Sequence, residues 1–507
     1  MRKTPRQKIE FGDYQTPLPL ANRICERLAR LGVVPQTVVE PTCGIGAFVK
    51  ASSTCFSCAK KIVAVDINVT HLSQARKLAC FDQRVQLIHA DFFRMDWEAF
   101  IEGLTTPILV IGNFPWVTNS ALGFIEGGNL PMKSNFHNYA GMDAITGKGN
   151  FDISEWMTIQ AVDWLREEKG SLAILLKTAV ARRVLRYIYQ TNAPLSRSAI
   201  LKINAPKEFG VATDACLLFC DFVGDLKEND CPIFETVTST EPDKVIGFRD
   251  GDLLSDIRGF DENRLLNSKA TVKWRSGIKH DCSKVMELTE GSNGLYNRLG
   301  ERVEIEEEYV FPLLKGSDVA NGRTDNPKRK VIVPQQFVGE ETFKIKETAP
   351  KTWAYLESHQ PVFARRKSKI YQNKPRFAIF GVGDYSFTDW KVAICSLYKR
   401  LIFVAVGPFE GKPVVFDDTV YFLPCRTENE ARTLCDLLNS DKAQVFFSTY
   451  IFWDSKRPIT ASLLSKIDIG KLANIYGKTV EYAGRLPDTT LTKSEQGENS
   501  AEQLELI

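Results

Sequence analysis

Short apolar segments alternate with amphipathic helical stretches through the first half of this chain, and this alternation most limits the folds open to it. Each apolar segment has the length of a buried strand, and the intervening stretches repeat apolar residues at helical spacing, as Leu20, Ile24 and Leu28 do. Such alternation is typical of an α/β domain with a doubly wound, mostly parallel sheet that helices cover on both faces. The predicted strands, seven in all, are residues 37–42, 61–67, 85–91, 107–113, 171–177, 199–205 and 214–222.

The pattern of the sequence changes after about residue 245. Short segments rich in Gly, Pro and aromatic residues replace the long helical stretches, which favours a second domain of mixed or β-rich character. We therefore predict a first domain at 1–245 and a second at 246–483, with one long late helix at 428–452. Residues 484–507 are polar and poor in large apolar groups, so we expect a disordered tail there.

Composition narrows the class of protein. Of the 507 residues, 44% are apolar and 25% are charged, as in an ordinary soluble globular protein. No apolar run approaches the roughly 18 residues of a membrane span, and the opening residues lack the apolar region of a signal peptide. We therefore expect a cytoplasmic protein that makes no contact with membranes.

The 12 cysteines lie mostly in apolar segments, which is typical of reduced, buried thiols. Cys55 and Cys58 form a CxxC pair, which is half of a zinc site. A structural zinc ion needs four ligands, and the sequence has no second CxxC and no HxxxH pair. We therefore expect free thiols and no metal.

A glycine-containing turn, EPTCGIGAF, follows the first predicted strand, at the place where doubly wound sheets bind nucleotides. A dinucleotide fingerprint would need a third glycine where Val49 stands, so a nicotinamide cofactor is disfavoured. Asp66 ends the second strand twenty residues after Gly46, where a carboxylate can accept both hydroxyls of an adenosine ribose. These residues predict a nucleoside site. A tight turn without any ligand stays open as an alternative.

The fourth predicted strand ends in Gly112, Asn113, Phe114, Pro115 and Trp116. This stretch resembles the Asn-Pro-Pro-aromatic signature of methyltransferases that modify the exocyclic amine of adenine in DNA. Other segments are similar to the remaining motifs of the family's gamma-like group, in its order. They are FGDYQTP (11–17), EPTCGIGAF (40–48), Asp66, HADFF (89–93) and KEFGVATDACLLF (207–219). The chain is thus identified, over residues 11–222, as resembling adenine-N6-specific DNA methyltransferases of the restriction-modification type.

The resemblance implies a seven-stranded class I (Rossmann-like) methyltransferase domain that uses S-adenosylmethionine, followed by a target recognition domain for double-stranded DNA. It implies catalytic roles for Asn113, Phe114, Pro115 and Trp116, with Phe209 as a second aromatic wall opposite Trp116. A separate restriction endonuclease is the expected functional partner, and a monomer is expected. The implied cofactor contacts are Thr16, Pro17, Glu40, Pro41, Thr42, Gly44, Gly46, Asp66, Ile67, Asp91, Phe92 and Asn113. A role for Thr16 as a helix cap stays open as well.

The role of Asn113 has a physical basis in the chemistry of the substrate amine. An exocyclic amine is a poor nucleophile because its lone pair is delocalised into the ring. The Asn113 side-chain oxygen and the Phe114 carbonyl can each accept one N–H and so direct the lone pair at a methyl donor, which is catalysis by positioning. Trp116 offers a face on which the base can stack. Phe114 replaces the first proline of the family motif, which removes a fixed φ and adds a backbone N–H.

A local excess of positive charge lies in the second half. Residues 321–400 contain 16 Lys or Arg against 7 Asp or Glu, whereas the whole chain has a net charge of only +3. Clustered cations interleaved with aromatic residues are typical of a surface for nucleic-acid phosphates. The predicted DNA-binding residues are Arg365, Arg366, Lys367, Lys369, Tyr371, Lys374 and Arg376.

The stretch from Val117 to Asn150 is long for a connection, and long connections are often functional. We hypothesise that Asn129, Lys133 and Asn135 close over the DNA or the extruded base.

Three alternatives stay open. Cytosine-N4 methylation uses the same geometry, although cytosine enzymes more often carry Ser at the position of Asn113. Protein glutamine methyltransferases share an Asn-Pro-Pro-Tyr motif, but they leave the basic second half unexplained. The third alternative is a DNA-binding protein with a degenerate cofactor site.

Overall fold

The protein divides into two compact units, the first ending at Ile257 and the second beginning at Arg258. This division lies beyond the boundary predicted between residues 245 and 246, because the strands that follow that point belong to the sheet of the first unit. The predicted tail and the segment from Val117 to Asn150 lie outside the described residues. The structure, a computed structural model, describes residues 14–79, 82–116, 152–224, 227–268, 272–455 and 457–478.

One sheet forms the centre of the first unit. Its strands are β1 (Thr37–Glu40), β2 (Lys61–Asp66), β3 (Val85–His89), β4 (Ile108–Asn113), β5 (Gly170–Lys177), β6 (Arg197–Ile203), β7 (Ala215–Asp221), β8 (Asp230–Phe234), β9 (Lys244–Arg249) and β10 (Asp252–Leu254). Every predicted segment forms a strand, but the sheet counts ten strands within the described residues, so the predicted number of seven is wrong. The sequence pattern did not predict β8 and β9, because β8 contains Pro232 and β9 contains Gly247, and both residue types are unfavourable inside strands.

The strand order predicts where a ligand-binding crevice lies along this sheet. The order is β10-β9-β8-β6-β7-β5-β4-β1-β2-β3. All pairs from β3 to β5 are parallel, whereas β7 is antiparallel to both β5 and β6. The order reverses between β1 and β4, where Thr37 lies opposite Ile108. Doubly wound sheets open a crevice at the carboxyl ends of their strands at such a reversal. The turn after β1 and the segment after β4 therefore border the same crevice.

Helices cover both faces of the first sheet. They are α1 (Leu18–Arg30), α2 (Ala47–Cys55), α3 (Val69–Leu78), α4 (Trp97–Glu102), α5 (Ile153–Glu168), α6 (Thr178–Gln190) and α7 (Ala205–Phe209). Ile62 and Ala64 of β2 pack in one apolar cluster with Leu28 of α1. Val63 and Val65 alternate with them toward the opposite face and are equally buried. This two-sided burial confirms the predicted α/β architecture.

The second unit combines two sheets with short helices. Its strands are β11 (Arg275–Ser276), β12 (Glu287–Gly291), β13 (Gly294–Asn297), β14 (Arg302–Val303), β15 (Val310–Leu314), β16 (Arg329–Ile332), β17 (Trp390–Cys395), β18 (Val404–Val406), β19 (Val415–Phe416) and β20 (Val420–Cys425). The sheet orders are β11-β20-β17-β18 and β14-β13-β12-β16-β15-β19. Its helices are α8 (Ile257–Asn263, which begins at the boundary), α9 (Ser283–Met286), α10 (Gly316–Ala320), α11 (Ile345–Thr348), α12 (Pro350–Ser358), α13 (Gln360–Ala364), α14 (Glu428–Leu438), α15 (Asp441–Tyr450), α16 (Ala461–Leu464) and α17 (Ile469–Ile475).

The single helix predicted at 428–452 is wrong, because the chain breaks it into α14 and α15 at Asn439 and Ser440. The Asn439 side chain accepts the N–H of Phe403 at 3.0 Å and donates to the Phe403 carbonyl at 2.8 Å. This contact with a distant segment stabilises the break.

Within the described ranges, no helix is both long and apolar enough to cross a lipid bilayer.

Candidate active site

The turn after β1 depends on glycine for both its backbone conformation and its close packing. Gly44 and Gly46 have φ values of 52° and 88°, in the left-handed region that favours glycine. A Cβ on Gly46 would lie 2.7 Å from the Ala75 Cβ, and one on Gly44 would overlap the Gln15 side-chain amide. Gln15 also accepts the N–H of Ile45 through its Oε1 at 2.9 Å. The turn is therefore held against α3 and against the segment that precedes α1.

Asp66 joins this turn to the end of β2. Its Oδ2 accepts the N–H of Gly44 at 2.8 Å, and its Oδ1 accepts the N–H of Asn68 at 2.7 Å. Each carboxylate oxygen can accept a further hydrogen bond, so the carboxylate is oriented and still able to bind hydroxyl groups. The next side chain, Ile67, is 41% exposed and offers an apolar surface beside it. This pairing fits the ribose and the adenine ring of an adenosine.

Glu40 is a buried carboxyl group at the tip of β1. Burial raises its pKa well above the usual value, although the backbone N–H of Val49 donates to it. Its Oε2 is buried and has no hydrogen-bond partner among the described residues. A buried acceptor without a partner costs free energy. The site therefore fits a ligand that brings a donor to Glu40, such as an ammonium group.

Asn113 ends β4 with its side-chain amide fixed in one orientation. Its Nδ2 donates to the Tyr14 carbonyl at 2.9 Å, and the Thr42 hydroxyl lies 3.4 Å from the Asn113 carbonyl, to which it donates. Because a carbonyl can only accept, the amide oxygen must point the other way. That Oδ1 is buried and has no partner among the described residues. The arrangement leaves an oriented acceptor for an N–H group.

Trp116 and Phe209 meet, but they do not form an open slot in this structure. Their ring centroids are 5.3 Å apart and the planes are inclined by 71°, which is an edge-to-face contact. Trp116 is only 6% exposed, and its indole N–H donates to the Leu175 carbonyl at 3.2 Å. A base held between parallel rings needs the rings about 7 Å apart. One of the two side chains must therefore move before a base can enter.

The Phe114 ring packs inside the protein. It is 1% exposed and lies 5.8 Å from Phe92, centroid to centroid. Phe92 in turn packs against Trp97 at 5.2 Å and Trp164 at 5.9 Å. Phe92 is 7% exposed, so most of its ring packs in the protein interior and only a small part faces solvent. The aromatic cluster thereby immobilises Phe114 where the family motif has a rigid proline.

The other sequence-predicted contacts lie at the same edge of the sheet with local roles. Asp91 accepts the N–H of Phe93 at 3.0 Å and so stabilises the turn after β3. Thr16 is buried, and α1 begins after Pro17 without a side-chain cap, so Thr16 does not cap that helix. Pro41 is buried and Pro115 is half-buried, each next to a residue described above.

Sequence reasoning missed the roles of Tyr14, Gln15, Lys177 and Asp152. Tyr14 and Gln15 lie within the FGDYQTP segment, but their bonds to Asn113 and Ile45 join residues far apart in the chain. Lys177 donates to the Trp116 carbonyl at 3.2 Å and to Asp152 Oδ2 at 2.6 Å. The sequence signal for Lys177 is only that a cation ends a predicted strand.

The predicted DNA-binding residues, all in the second unit, fall into two groups. Arg366 donates to the Ala378 carbonyl at 2.6 Å and lies 3.7 Å from the centre of the Tyr371 ring, and Arg376 pairs with Glu357 at 3.2 Å. These three predicted residues stabilise the second unit itself. In the described part of the chain, no side-chain hydrogen bond or ion pair engages four exposed cations, Arg365, Lys367, Lys369 and Lys374.

No set of three or more His, Cys, Asp or Glu side chains among the described residues is grouped to hold a metal ion. Cys55 and Cys58 are free thiols, one half-buried and the other exposed.

The sequence and the fold of this chain were compared with those of known proteins. No family model matches the chain. The type II methyltransferase M.NspV of Nostoc sp. is 48% identical over 473 residues, which cover 93% of this chain and 98% of that protein. The type IIL restriction-modification enzyme MmeI, solved in complex with DNA, has a similar fold, with a TM-score of 0.55 and 12% identity over 99% of this chain and 76% of that one. Because almost half of the residues agree along nearly the full length of M.NspV, the chain belongs to the type II methyltransferase family.

Proposed function

We propose that the protein is a site-specific DNA methyltransferase that transfers a methyl group from S-adenosylmethionine to the N6 amine of an adenine flipped out of double-stranded DNA. It would act in the cytoplasm as the modification component of a restriction-modification system, as a monomer and beside a separate endonuclease. Membership of the type II methyltransferase family supports the reaction class. The observation that carries the proposal is the buried Oδ1 of Asn113, which has no partner among the described residues and lies beside a nucleoside-compatible turn.

The crevice offers matching groups to three parts of the cofactor, which would supply an activated methyl carbon when bound. Asp66 would accept hydrogen bonds from the ribose hydroxyls, and Ile67 would pack against the adenine ring. Glu40 would accept a hydrogen bond from the ammonium of the methionine moiety, and its carboxyl group would ionise on that contact. The glycines let the turn pass close to α3 and to Gln15, because no side chain projects from Gly44 or Gly46, and this close packing holds the turn in place beside Asp66.

The amide of Asn113 and the carbonyl of Phe114 hold the two hydrogens of the target amine. Holding both hydrogens turns the nitrogen lone pair out of conjugation and toward the methyl carbon. The cofactor would supply the methyl carbon, with its sulfur as the leaving group, and the methylated nitrogen would lose one proton to water. No strong base is needed, because the methylated amine is cationic and acidic before that loss.

Base entry is coupled to DNA binding. Extruding a base costs a few kcal/mol, and contacts with the duplex must offset that cost. The exposed cations Arg365, Lys367, Lys369 and Lys374 suit phosphate contacts, because no protein partner in the described residues engages them. Arg366, Tyr371 and Arg376 contribute indirectly, by stabilising the segment that carries those cations.

The proposal is tested by incubating the purified protein with methyl-labelled S-adenosylmethionine and plasmid DNA from a host that lacks methyltransferases. Nucleoside analysis is expected to recover the label in N6-methyladenine, and the modified plasmid is expected to resist an endonuclease of the same sequence specificity. Label in N4-methylcytosine would change the target base. Label in added protein, or no label in any substrate, would overturn the proposal.

A further inference from the structure

Lys177 joins two segments that are far apart in sequence. It ends β5, and its ammonium group donates to the backbone carbonyl of Trp116 at 3.2 Å and to Asp152 Oδ2 at 2.6 Å. Trp116 is the last residue of the motif after β4, and Asp152 precedes α5. Residues 117–151 lie between these two anchors in the sequence. One cation therefore ties both anchors to the tip of the strand that neighbours β4.

The acceptor for this cation is itself held in place. Asp152 is 4% exposed, and its Oδ1 accepts both the hydroxyl of Ser154 at 2.6 Å and the N–H of Ser154 at 3.2 Å. The Lys177 side chain is 30% exposed, so water and salt screen this ion pair only partly.

Trp116 is thus attached to β5 at two points. Its indole N–H donates to the Leu175 carbonyl at 3.2 Å, and its own carbonyl accepts from Lys177. Asn113 pairs with the same Leu175 in the β4–β5 register. The four residues from Asn113 to Trp116 are therefore bounded by β5 at both ends. Such bracketing restricts the backbone where Phe114 has replaced a proline of fixed φ.

We infer that Lys177 is a positioning residue, which fixes the Trp116 backbone through its ammonium and so holds the amine-binding segment 113–116 in the geometry for methyl transfer. The inference rests on the proposed function for the identity of the reaction. The contact between the Lys177 ammonium and the Trp116 carbonyl is independent of that proposal. Lys177 touches neither substrate nor cofactor in this assignment, and it acts through Trp116. Its loss should lower the rate of the transfer step and leave the binding of cofactor and duplex unchanged.

The test compares Lys177→Met with Lys177→Arg in the full-length protein. We expect Lys177→Met to lower kcat at least tenfold, with KM for S-adenosylmethionine and Kd for duplex within twofold of wild type. Lys177→Arg keeps a donor cation and should return kcat to within about threefold. Lys202→Met is the matched control, because Lys202 lies near the end of β6 and its ammonium pairs with Glu235 and Asp243 rather than with the segment 113–116. Its kinetic constants should match wild type.

Amide hydrogen exchange separates this inference from the proposed function. Exchange in the peptide 108–116 should be faster in Lys177→Met than in wild type, while the peptide 197–221 is unchanged. If wild type modifies no DNA, the proposed function fails, and unchanged exchange would still overturn the inference alone. The inference would also be overturned if Lys177→Met kept kcat within twofold of wild type, or if its cofactor KM rose by the same factor as its kcat fell.

A second variant is needed if Lys177→Met does not fold. Asp152→Asn retains a helix-capping side chain and is expected to lower kcat a few-fold at unchanged KM. A wild-type kcat in this variant would contradict the inference.

Discussion

The two halves of the crevice differ in how far they are formed before any ligand binds. In the half that we assign to the cofactor, two glycines of left-handed conformation and the Asp66 carboxylate, which accepts two backbone N–H groups, are held in a defined geometry. In the half that we assign to the base, Trp116 and Phe209 are in edge contact and occupy the space between them. One half is ready for its ligand, whereas the other must open.

This difference indicates how binding energy is used in the two halves. A preformed site binds its ligand without a cost of reorganisation, so substitutions there should change cofactor affinity and little else. A site that must open uses binding energy from elsewhere, which we assign to contacts with DNA, so substitutions there should lower turnover of DNA and leave cofactor affinity unchanged. The predictions below test this contrast, beginning with the largest expected effect.

Asn113→Ala should abolish most of the methyl transfer, because it removes the hydrogen-bond acceptor from the half of the crevice assigned to the base. Loss of an oriented acceptor for the reacting amine is expected to lower kcat by roughly 10²–10³-fold, as loss of one oriented hydrogen-bonding group at a reacting centre does. Cofactor KM and duplex affinity should stay within twofold of wild type. Steady-state kinetics with labelled cofactor, together with gel-shift titration, measures these constants. Asn113→Ser retains an oxygen acceptor and should lose less, and wild-type turnover by Asn113→Ala would contradict the catalytic assignment.

Asp66→Ala should affect the cofactor half alone. Loss of charge-assisted hydrogen bonds worth about 1.5–3 kcal/mol predicts a rise of roughly 10- to 100-fold in KM for S-adenosylmethionine. The value of kcat at saturating cofactor should change by less than threefold. A large fall in kcat would mean that the two halves are not separable, contrary to the contrast drawn here.

Gly46→Ala tests the close approach of the glycine turn to α3. The added Cβ would meet Ala75 at 2.7 Å in a backbone of φ 88°, and we expect a loss of about 2 kcal/mol in the free energy of unfolding together with weaker cofactor binding. Gly32→Ala is the matched control, because Gly32 has a similar φ of 81° and no atom within 4 Å of the added Cβ. It should cost only about 1 kcal/mol. Denaturant titration of both variants measures the difference, and equal losses would argue against the packing effect.

Phe209→Ala should remove one wall of the base half. Stacking of a base on an aromatic ring is worth about 1–3 kcal/mol, so kcat/KM for DNA is expected to fall roughly tenfold at unchanged cofactor KM. Phe209→Tyr keeps the ring and should remain near wild type. A rise in kcat/KM for Phe209→Ala would show instead that the closed ring pair hinders base entry more than the stack assists it.

Glu40 should make cofactor binding depend weakly on pH. Burial raises the pKa of its carboxyl group in the free protein, and an ammonium partner would lower that pKa again. Binding then releases protons, so affinity should increase with rising pH until the raised pKa of the free protein's carboxyl group is passed. Less than one proton should be released per cofactor bound. Calorimetry in buffers of different ionisation enthalpy detects the release. Glu40→Gln should abolish it, and an unchanged signal in that variant would assign the proton to another group.

Sequence patterns predict the central features of the first unit because these features depend on local chemistry. Buried parallel strands need apolar runs, and each predicted segment from residue 37 to residue 222 forms a strand. A tight turn with positive φ needs glycine, which identified Gly44 and Gly46. The position of Asn113 at the end of a strand followed from the same local reasoning.

Contacts between distant segments decide the remaining features, and no local pattern encodes them. The Asn113 amide is oriented by Tyr14, 99 residues earlier, and the Trp116 carbonyl by Lys177, 61 residues later. The added strands β8 to β10 extend the sheet beyond β6, where β8 pairs in parallel with β6. Arg366 and Lys367 are adjacent cations in the sequence, yet one stacks on Tyr371 within its unit and the other is exposed. Side-chain type depends on the residue alone, whereas hydrogen-bond partners and exposure depend on which segments the fold brings together.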